Sequence, residues 1–207
     1  MAEIILRPRL GLEHLAVAGR CGKLDGDAGV TLSLGDGGAF ASVICRKGRR
    51  HELAQRVQRA FGLEMPASPR RTDVGGIAFV WSGPDQWLAM AAGLTSQAFE
   101  QRLRDELAGL ASVCEQSDGR VLIRISGARA RETLAKGMMI DLHRRAFRPN
   151  DAAVTGFAHI PVYFWQVDSA PTYEFAVFRS LAAEFWHSLV EAGGEFGVMI
   201  EANTSQG

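Results

Sequence analysis

Cysteine is scarce: the 207 residues hold three, Cys21, Cys45 and Cys114, far apart and with no CxxC pair. That excludes a disulfide framework and a four-thiolate zinc site, and reads as reduced thiols of a cytosolic protein. Net charge is also absent, since 23 Lys and Arg balance 23 Asp and Glu. Nothing therefore pulls the whole molecule toward nucleic acid or acidic lipid. Long apolar runs are missing as well. The stretches Gln86 to Phe99 and Ala152 to Val167 carry no Lys, Arg, Asp or Glu, yet each is shorter than the roughly 20 apolar residues that cross a bilayer. Met1 to Leu10, broken by Glu3, Arg7, Pro8 and Arg9, lacks the apolar middle of a secretory signal. The expectation is a cytoplasmic protein with neither a nucleic-acid nor a membrane partner.

What is present is 47% hydrophobic and 22% charged residues, the make-up of a soluble globular chain able to bury a large core. Apolar residues recur at helical spacing in four segments. Leu53, Val57 and Phe61 mark the first, and Phe99, Leu103, Leu107 and Leu110 the second. The third runs from Ser126, a candidate N-cap, to Lys136. Leu181, Phe185, Leu189 and Ala192 mark the fourth, which Gly193-Gly194 ends. Between them, short runs rich in Val, Ile, Phe and Tyr read as strands: Ala39 to Cys45, Gly76 to Trp81, Gln86 to Ala91, Ala111 to Glu115, Val121 to Ile125, Val154 to Ile160, Tyr173 to Phe178 and Glu195 to Ile200.

The first half thus runs strand, helix, strand, strand, helix, strand, with Ser82-Gly83-Pro84-Asp85 turning its central hairpin. That is the ferredoxin-like βαββαβ order, and it returns from Val121 onward. The predicted class is α+β, two fused ferredoxin-like modules over residues 39–117 and 118–201, with an extension at 1–38 and a tail at 202–207. Ser117-Asp118-Gly119 is expected to join the modules as a tight hairpin. In the extension, Leu12 to Ala18 and Val30 to Leu34 read as extra strands that extend a sheet edge, and Met65 to Thr72 as an exposed loop.

The short signatures of catalysis are missing. Gly19-Arg20-Cys21-Gly22-Lys23 resembles a phosphate loop only superficially, because Val17 and Leu24 stand where glycine and a hydroxyl are needed. Gly35-Asp36-Gly37-Gly38 lacks dinucleotide-loop spacing and reads as a turn. His14, His51, His143, His159 and His187 form no HExxH pair and no Cys/His cluster. Ser126 is not in a GxSxG elbow. No catalytic, cofactor-binding or metal-ligating residue is nominated.

Two basic clusters remain. Arg46, Lys47, Arg49, Arg50, Arg56 and Arg59 read as a solubilising surface. The second, Arg144, Arg145 and Arg148 with His143, encloses Phe147, and an apolar side chain on a basic loop suits contact with a partner. Trp81, Trp87, Trp165 and Trp186 are read first as core packing.

Phe79-Val80-Trp81-Ser82-Gly83-Pro84-Asp85-Gln86-Trp87-Leu88 is similar to the Gly-Pro-Asp-Glu-Trp-Leu hairpin of the gamma subunit family of heterotetrameric sarcosine oxidase. Ser117-Asp118-Gly119-Arg120 through Ile125-Ser126-Gly127-Ala128-Arg129-Ala130, then Leu134, Gly137 and Asp141-Leu142, resembles its central block. Phe178-Arg179-Ser180-Leu181-Ala182 with Glu195-Phe196-Gly197 resembles its C-terminal part. The resemblance implies the fold of the folate-binding aminomethyltransferase, or glycine-cleavage T-protein, superfamily. It also implies a place in an alpha-beta-gamma-delta complex that oxidises sarcosine to glycine and passes the methyl carbon to tetrahydrofolate or formaldehyde. FAD, FMN, NAD and tetrahydrofolate would then sit on the partner subunits, and this chain would be a non-catalytic scaffold. Two other readings stay open. One is a stand-alone folate-dependent relative, against which Met138 follows Lys136-Gly137 where a related motif has cysteine. The other is a regulatory module in which paired ferredoxin-like units bind a small effector.

Overall fold

The computed structural model describes residue 12 and residues 14–35 and 38–202. Met1 to Leu10, the Asp36-Gly37 pair and residues 203–207 of the tail lie outside the described residues. The chain begins with two short strands, β1 (Gly19–Cys21) and β2 (Val30–Leu34). The first half continues through β3 (Ala39–Cys45), α1 (Arg50–Phe61), β4 (Arg71–Val74), β5 (Ile77–Gly83), β6 (Gln86–Ala91), α2 (Ser96–Glu106) and β7 (Ala111–Glu115). The second repeats that plan as β8 (Arg120–Ser126), α3 (Ala130–Ala135), β9 (Ala152–Phe157), β10 (Ile160–Gln166), β11 (Tyr173–Phe178), α4 (Ala182–Gly193) and β12 (Val198–Ile200).

The helices follow from their apolar spacing. Leu53, Val57 and Phe61 are all buried on one side of α1, and Gly62 closes it at φ 70° with its N–H on the Gln58 carbonyl. The Thr95 hydroxyl accepts from the Ala98 N–H and so caps α2. Ser126 does not cap α3 as expected. It ends β8 opposite Thr31, and the α3 cap position falls to Arg129.

The strands form a five-stranded sheet, β4-β5-β6-β3-β7, and a seven-stranded sheet, β1-β12-β2-β8-β11-β10-β9. Alternation along the strands sends one set of residues to the helices and the other to the opposite sheet. Ala39, Ala41 and Val43 of β3 join Phe79, Trp87, Phe99 and Leu103 in a core under α1 and α2. Ile123, Ile125, Phe164, Phe175, Phe185 and Trp186 build the matching core under α3 and α4. Between the sheets, Phe40, Val80 and Leu88 pack with Ala152, Trp165 and Ala176. The result is four layers, helices outside and two sheets within. Each fully buried Leu or Phe in these layers contributes about 1.5–3 kcal/mol.

The repeated βαββαβ plan is present, with differences that have physical causes. Each half carries one further strand, β4 or β9, at a sheet edge before its hairpin. The Val154 to Ile160 segment is not one strand: Ala158, at φ 52°, turns β9 into β10. Of the Leu12 to Ala18 segment, the described residues form no strand, because the Leu15 and Ala16 N–H groups fold back on the Leu12 carbonyl, and the edge is taken by β1. Nor does β2 extend an edge; it is inserted between β12, which it pairs in parallel, and β8. The Met65 to Thr72 loop is only partly exposed, Met65 being buried and Arg71 and Thr72 already in β4.

The expected hairpin between the halves is absent. β7 pairs with β3, while β8 pairs with β11 and β2 in the other sheet. The Gln116 N–H reaches the Phe40 carbonyl, and the Ser117 hydroxyl accepts from the Phe40 N–H at 2.8 Å. A single 3-10 turn at Ser117–Gly119 then carries the chain across to the second sheet. The sheets are tied again where the Arg71 N–H meets the Asn150 carbonyl and the Ala152 N–H the Pro69 carbonyl.

Candidate functional site

The two inner faces enclose a cavity of about 830 Å³, in the size range of small-molecule sites. Ser33, Phe40, Arg71, Met90, Arg124 and Glu174 are among its walls, so both sheets contribute. Its charged groups answer one another. Arg124 donates from Nε at 3.1 Å and Nη2 at 2.8 Å to Oε1 of Glu174, and the Trp165 indole N–H donates to Oε2 at 2.8 Å. Both carboxylate oxygens of Glu174 are thereby occupied. Arg71 and Asp73, two residues apart on edge strand β4, pair at 2.6 Å. These are structural ion pairs, each within one sheet: Arg124 and Glu174 face each other on the neighbouring strands β8 and β11, and Arg71 and Asp73 both lie on β4.

Elsewhere the described residues give the same picture. The five histidines are all exposed, and no group of three His, Cys, Asp or Glu is placed to hold a metal. Burial pushes the Cys21 thiol up; burial, with Asp85 adding to it, pushes up that of Cys45, the opposite of nucleophile activation. The Gly19 to Lys23 run opens no helix. It is β1 and a turn, with the Lys23 N–H on the Gly194 carbonyl.

The first basic cluster is engaged locally. Arg49 pairs with Glu52 at 2.7 Å, Arg50 with Asp85 at 3.4 Å, and Arg56 donates to the Glu106 carbonyl at the end of α2. The second cluster divides. Arg144, Arg145 and Arg148 are exposed, but Phe147 is not offered to a partner. A helical turn sets its N–H on the His143 carbonyl and sends the ring inward, 7% exposed and stacked 5.1 Å from Phe164. Phe147 is a core residue, because a benzyl group next to an apolar layer gains more from burial than from display. Of the tryptophans, Trp87, Trp165 and Trp186 are buried, and the Trp87 indole donates to the Pro66 carbonyl.

The Arg124, Glu174 and Trp165 triad was not singled out by motif. A signal for it existed: one cation in Val121 to Ile125 and one anion in Tyr173 to Phe178 are lone opposite charges inside otherwise apolar strands. Arg120, buried between Tyr163 and Phe178, is a second polar residue that nothing in its local sequence marks.

Residues 49–195 match the family described as sarcosine oxidase, gamma subunit. The chain belongs to that family. The gamma subunit motifs have visible structural reasons here. The Ser82 to Asp85 segment spans the bulged β5–β6 turn, with Asp85 at φ 57°. Gly127, at φ 110°, lies so near the backbone of Gly29 that a Cβ would stand 2.5 Å from its carbonyl oxygen. The chain is 28% identical over 188 residues to the sarcosine oxidase subunit gamma of Corynebacterium sp. strain U-96, covering 88% of each. It is similar in structure to a chain of the heterotetrameric sarcosine oxidase of Corynebacterium sp. U-96 in complex with pyrrole 2-carboxylate, with TM-score 0.77 and 25% identity, covering 97% of this chain and 99% of that one. It shares its fold with the glycine cleavage system aminomethyltransferase T of Bartonella henselae, with TM-score 0.58 at 13% identity, while spanning 46% of that chain.

Proposed function

We propose that this chain is the non-catalytic gamma subunit of a heterotetrameric sarcosine oxidase. It binds alpha, beta and delta subunits that carry FAD, FMN, NAD and tetrahydrofolate, and it works in the cytoplasm. The observation that carries the reading is the near end-to-end likeness to one chain of such a complex. Its charged cavity wall is consistent with it, because Arg124 and Glu174 pair with each other across β8 and β11. No described helix is long and apolar enough to cross a membrane.

A physical role follows from the chemistry of the assembly. Oxidative demethylation releases a reactive one-carbon intermediate, and enclosing its path to folate keeps it from water. A four-layer chain whose inner charged residues pair with one another suits a wall of that enclosure. The test is to express the four chains together with a tag on this one, purify gently and record the partners and the flavin absorbance. Sarcosine oxidation and folate methylenation are then compared with and without this chain. Co-purification of three partners and loss of the complex or of coupled transfer without it are the expected results. Undiminished activity of a complex lacking the chain refutes the role.

A further inference from the structure

The inner face of the seven-stranded sheet extends past the five-stranded sheet that covers it. In the strand register Val154 lies opposite Tyr163, Tyr163 opposite Ala176, and Phe178 opposite Arg120. One row along, Ala152, Trp165 and Glu174 are under cover. At the other end of the same face, Val154 is 47% exposed and Phe178 40%, with Pro161 exposed beside them.

Arg120 lies within this uncovered end and is itself 7% exposed. Its guanidinium carbon stands 3.8 Å from the Phe178 ring centre and 4.5 Å from that of Tyr163. Its Nε and Nη1 are buried and reach no acceptor among the described residues. Burial weakens its hold on its proton, the Tyr163 oxygen acting in the opposite direction. A buried cation without a counter-charge is costly, and two ring faces offset only part of that. Stacking occupies the faces of a guanidinium, whereas its donors lie in its plane. Nη2 is the one guanidinium nitrogen outside that buried, unpartnered set, so a carboxylate arriving at the edge meets Nη2 of a group already held between two rings.

We propose that this end of the sheet is a protein-docking surface on which a partner subunit places an aspartate or glutamate side chain against Arg120, with Val154, Pro161 and Phe178 as the apolar surround. Arginine and aromatic residues in a desolvated patch are the composition of interface hot spots. The proposal rests on the reading of this chain as a subunit.

The test uses the full chain with Arg120→Met or Val154→Asp, each titrated onto the complex prepared without it, and each melted alone. With Arg120→Met the lone chain is expected to melt within 2 °C of the unchanged protein or above it, since an unpaired buried charge is replaced by an apolar chain of similar length. Its association is expected to weaken at least tenfold. Val154→Asp, on an exposed position, is expected to leave melting unchanged and weaken association at least as much. Wild-type association by both variants overturns the proposal. So does a lone chain that melts clearly earlier with Arg120→Met while Val154→Asp associates normally, because Arg120 then serves a contact within this chain. A self-associating lone chain that Val154→Asp makes monomeric also overturns it, assigning the face to a second copy. Failure of the unchanged chain to associate at all is a separate result, which refutes the subunit reading itself.

Discussion

Replacing Arg124 by Met should destabilise the chain by about 2 kcal/mol, and the structure fixes both the sign and the size. Glu174 is 8% exposed and accepts three hydrogen bonds, two of them from Arg124. Without the guanidinium, a carboxylate between two sheets keeps only the Trp165 indole N–H. Breaking a fully buried ion pair by removing one partner costs about 3–5 kcal/mol. Here the Arg124 side chain is 46% exposed, so water screens the pair and reaches the vacated space, and roughly half of that is the reasonable figure. For a chain of this length, 2 kcal/mol moves Tm by about 4–8 °C. Glu174→Leu errs differently. It frees Arg124 to the solvent but orphans a fully buried indole N–H, at about 1–3 kcal/mol. The double variant Arg124→Met with Glu174→Leu leaves only the indole unsatisfied, so it should cost less than the two single changes added together. The assay is urea unfolding of the four proteins of this cycle, followed by tryptophan fluorescence and far-ultraviolet dichroism. A loss below about 0.5 kcal/mol for Arg124→Met, or strict additivity in the cycle, would refute the claim that Arg124 compensates the buried Glu174 carboxylate.

Three further outcomes are expected. Gly127→Ala forces a Cβ to within 2.5 Å of the Gly29 carbonyl oxygen at φ 110°, so it should cost about 3 kcal/mol in denaturant unfolding; a loss under about 1 kcal/mol would show that β8 and the Gly29 turn separate easily. Phe147→Ala, which empties the ring stack on Phe164, should cost about 3–5 kcal/mol, whereas Arg144→Glu with Arg145→Glu should stay within about 0.5 kcal/mol and act, if at all, on subunit association. Burial raises the Tyr173 phenol above its ordinary value, with the Arg131 guanidinium opposing. The folded state thus holds that proton more tightly than the unfolded one, so this stability is fully present below about pH 10 and lost as pH rises through the raised value. Tyr173→Phe should be near neutral at pH 7, since no acceptor or donor among the described residues meets the hydroxyl at full hydrogen-bond geometry and only the Arg131 guanidinium lies near it, and should flatten the alkaline part of a stability profile; an unchanged alkaline fall would reject this assignment.

The repeated plan was legible because it is written in local periodicity: 3.6 for Leu53, Val57 and Phe61, and dense β-branched and aromatic runs between the helices. What escaped was either polar or non-local. The Arg71 to Val74 strand reads Arg-Thr-Asp-Val, a polar edge whose pairing depends on β5 and leaves little mark on its own sequence. The alternation Val30, Leu32, Leu34 announces β2, but its place between β12 and β8 is set by partners about 90 and 170 residues away, which no local pattern encodes. The same limit explains Phe147. Its neighbours Arg144, Arg145 and Arg148 describe the chain around it, while its burial is decided by Phe164 in a different hairpin.

The family motifs and the unanswered polar groups lie in different places, and the difference bears on function. The Gly83-Pro84-Asp85 turn, Trp87 and the Ser117 to Gly119 crossing all close contacts within the chain. They account for a fold and require no ligand. Buried polar groups with no partner are rare in a finished interior and call for a reason. Among the described residues such atoms are Arg20 Nε, Arg71 Nε, Arg120 Nε and Nη1, Arg131 Nη1, Thr133 Oγ1, Gln166 Oε1 and Tyr173 Oη. Only Arg71 belongs to the five-stranded half, where the Trp87 indole and the basic residues of α1 are all answered locally. The seven-stranded half, with its inserted strand and its inner face uncovered at one end, holds the rest. A chain whose only function was to be stable would gain by replacing such groups with apolar ones. A subunit gains from keeping a donor where another chain can complete it, and that is the use proposed above for Arg120.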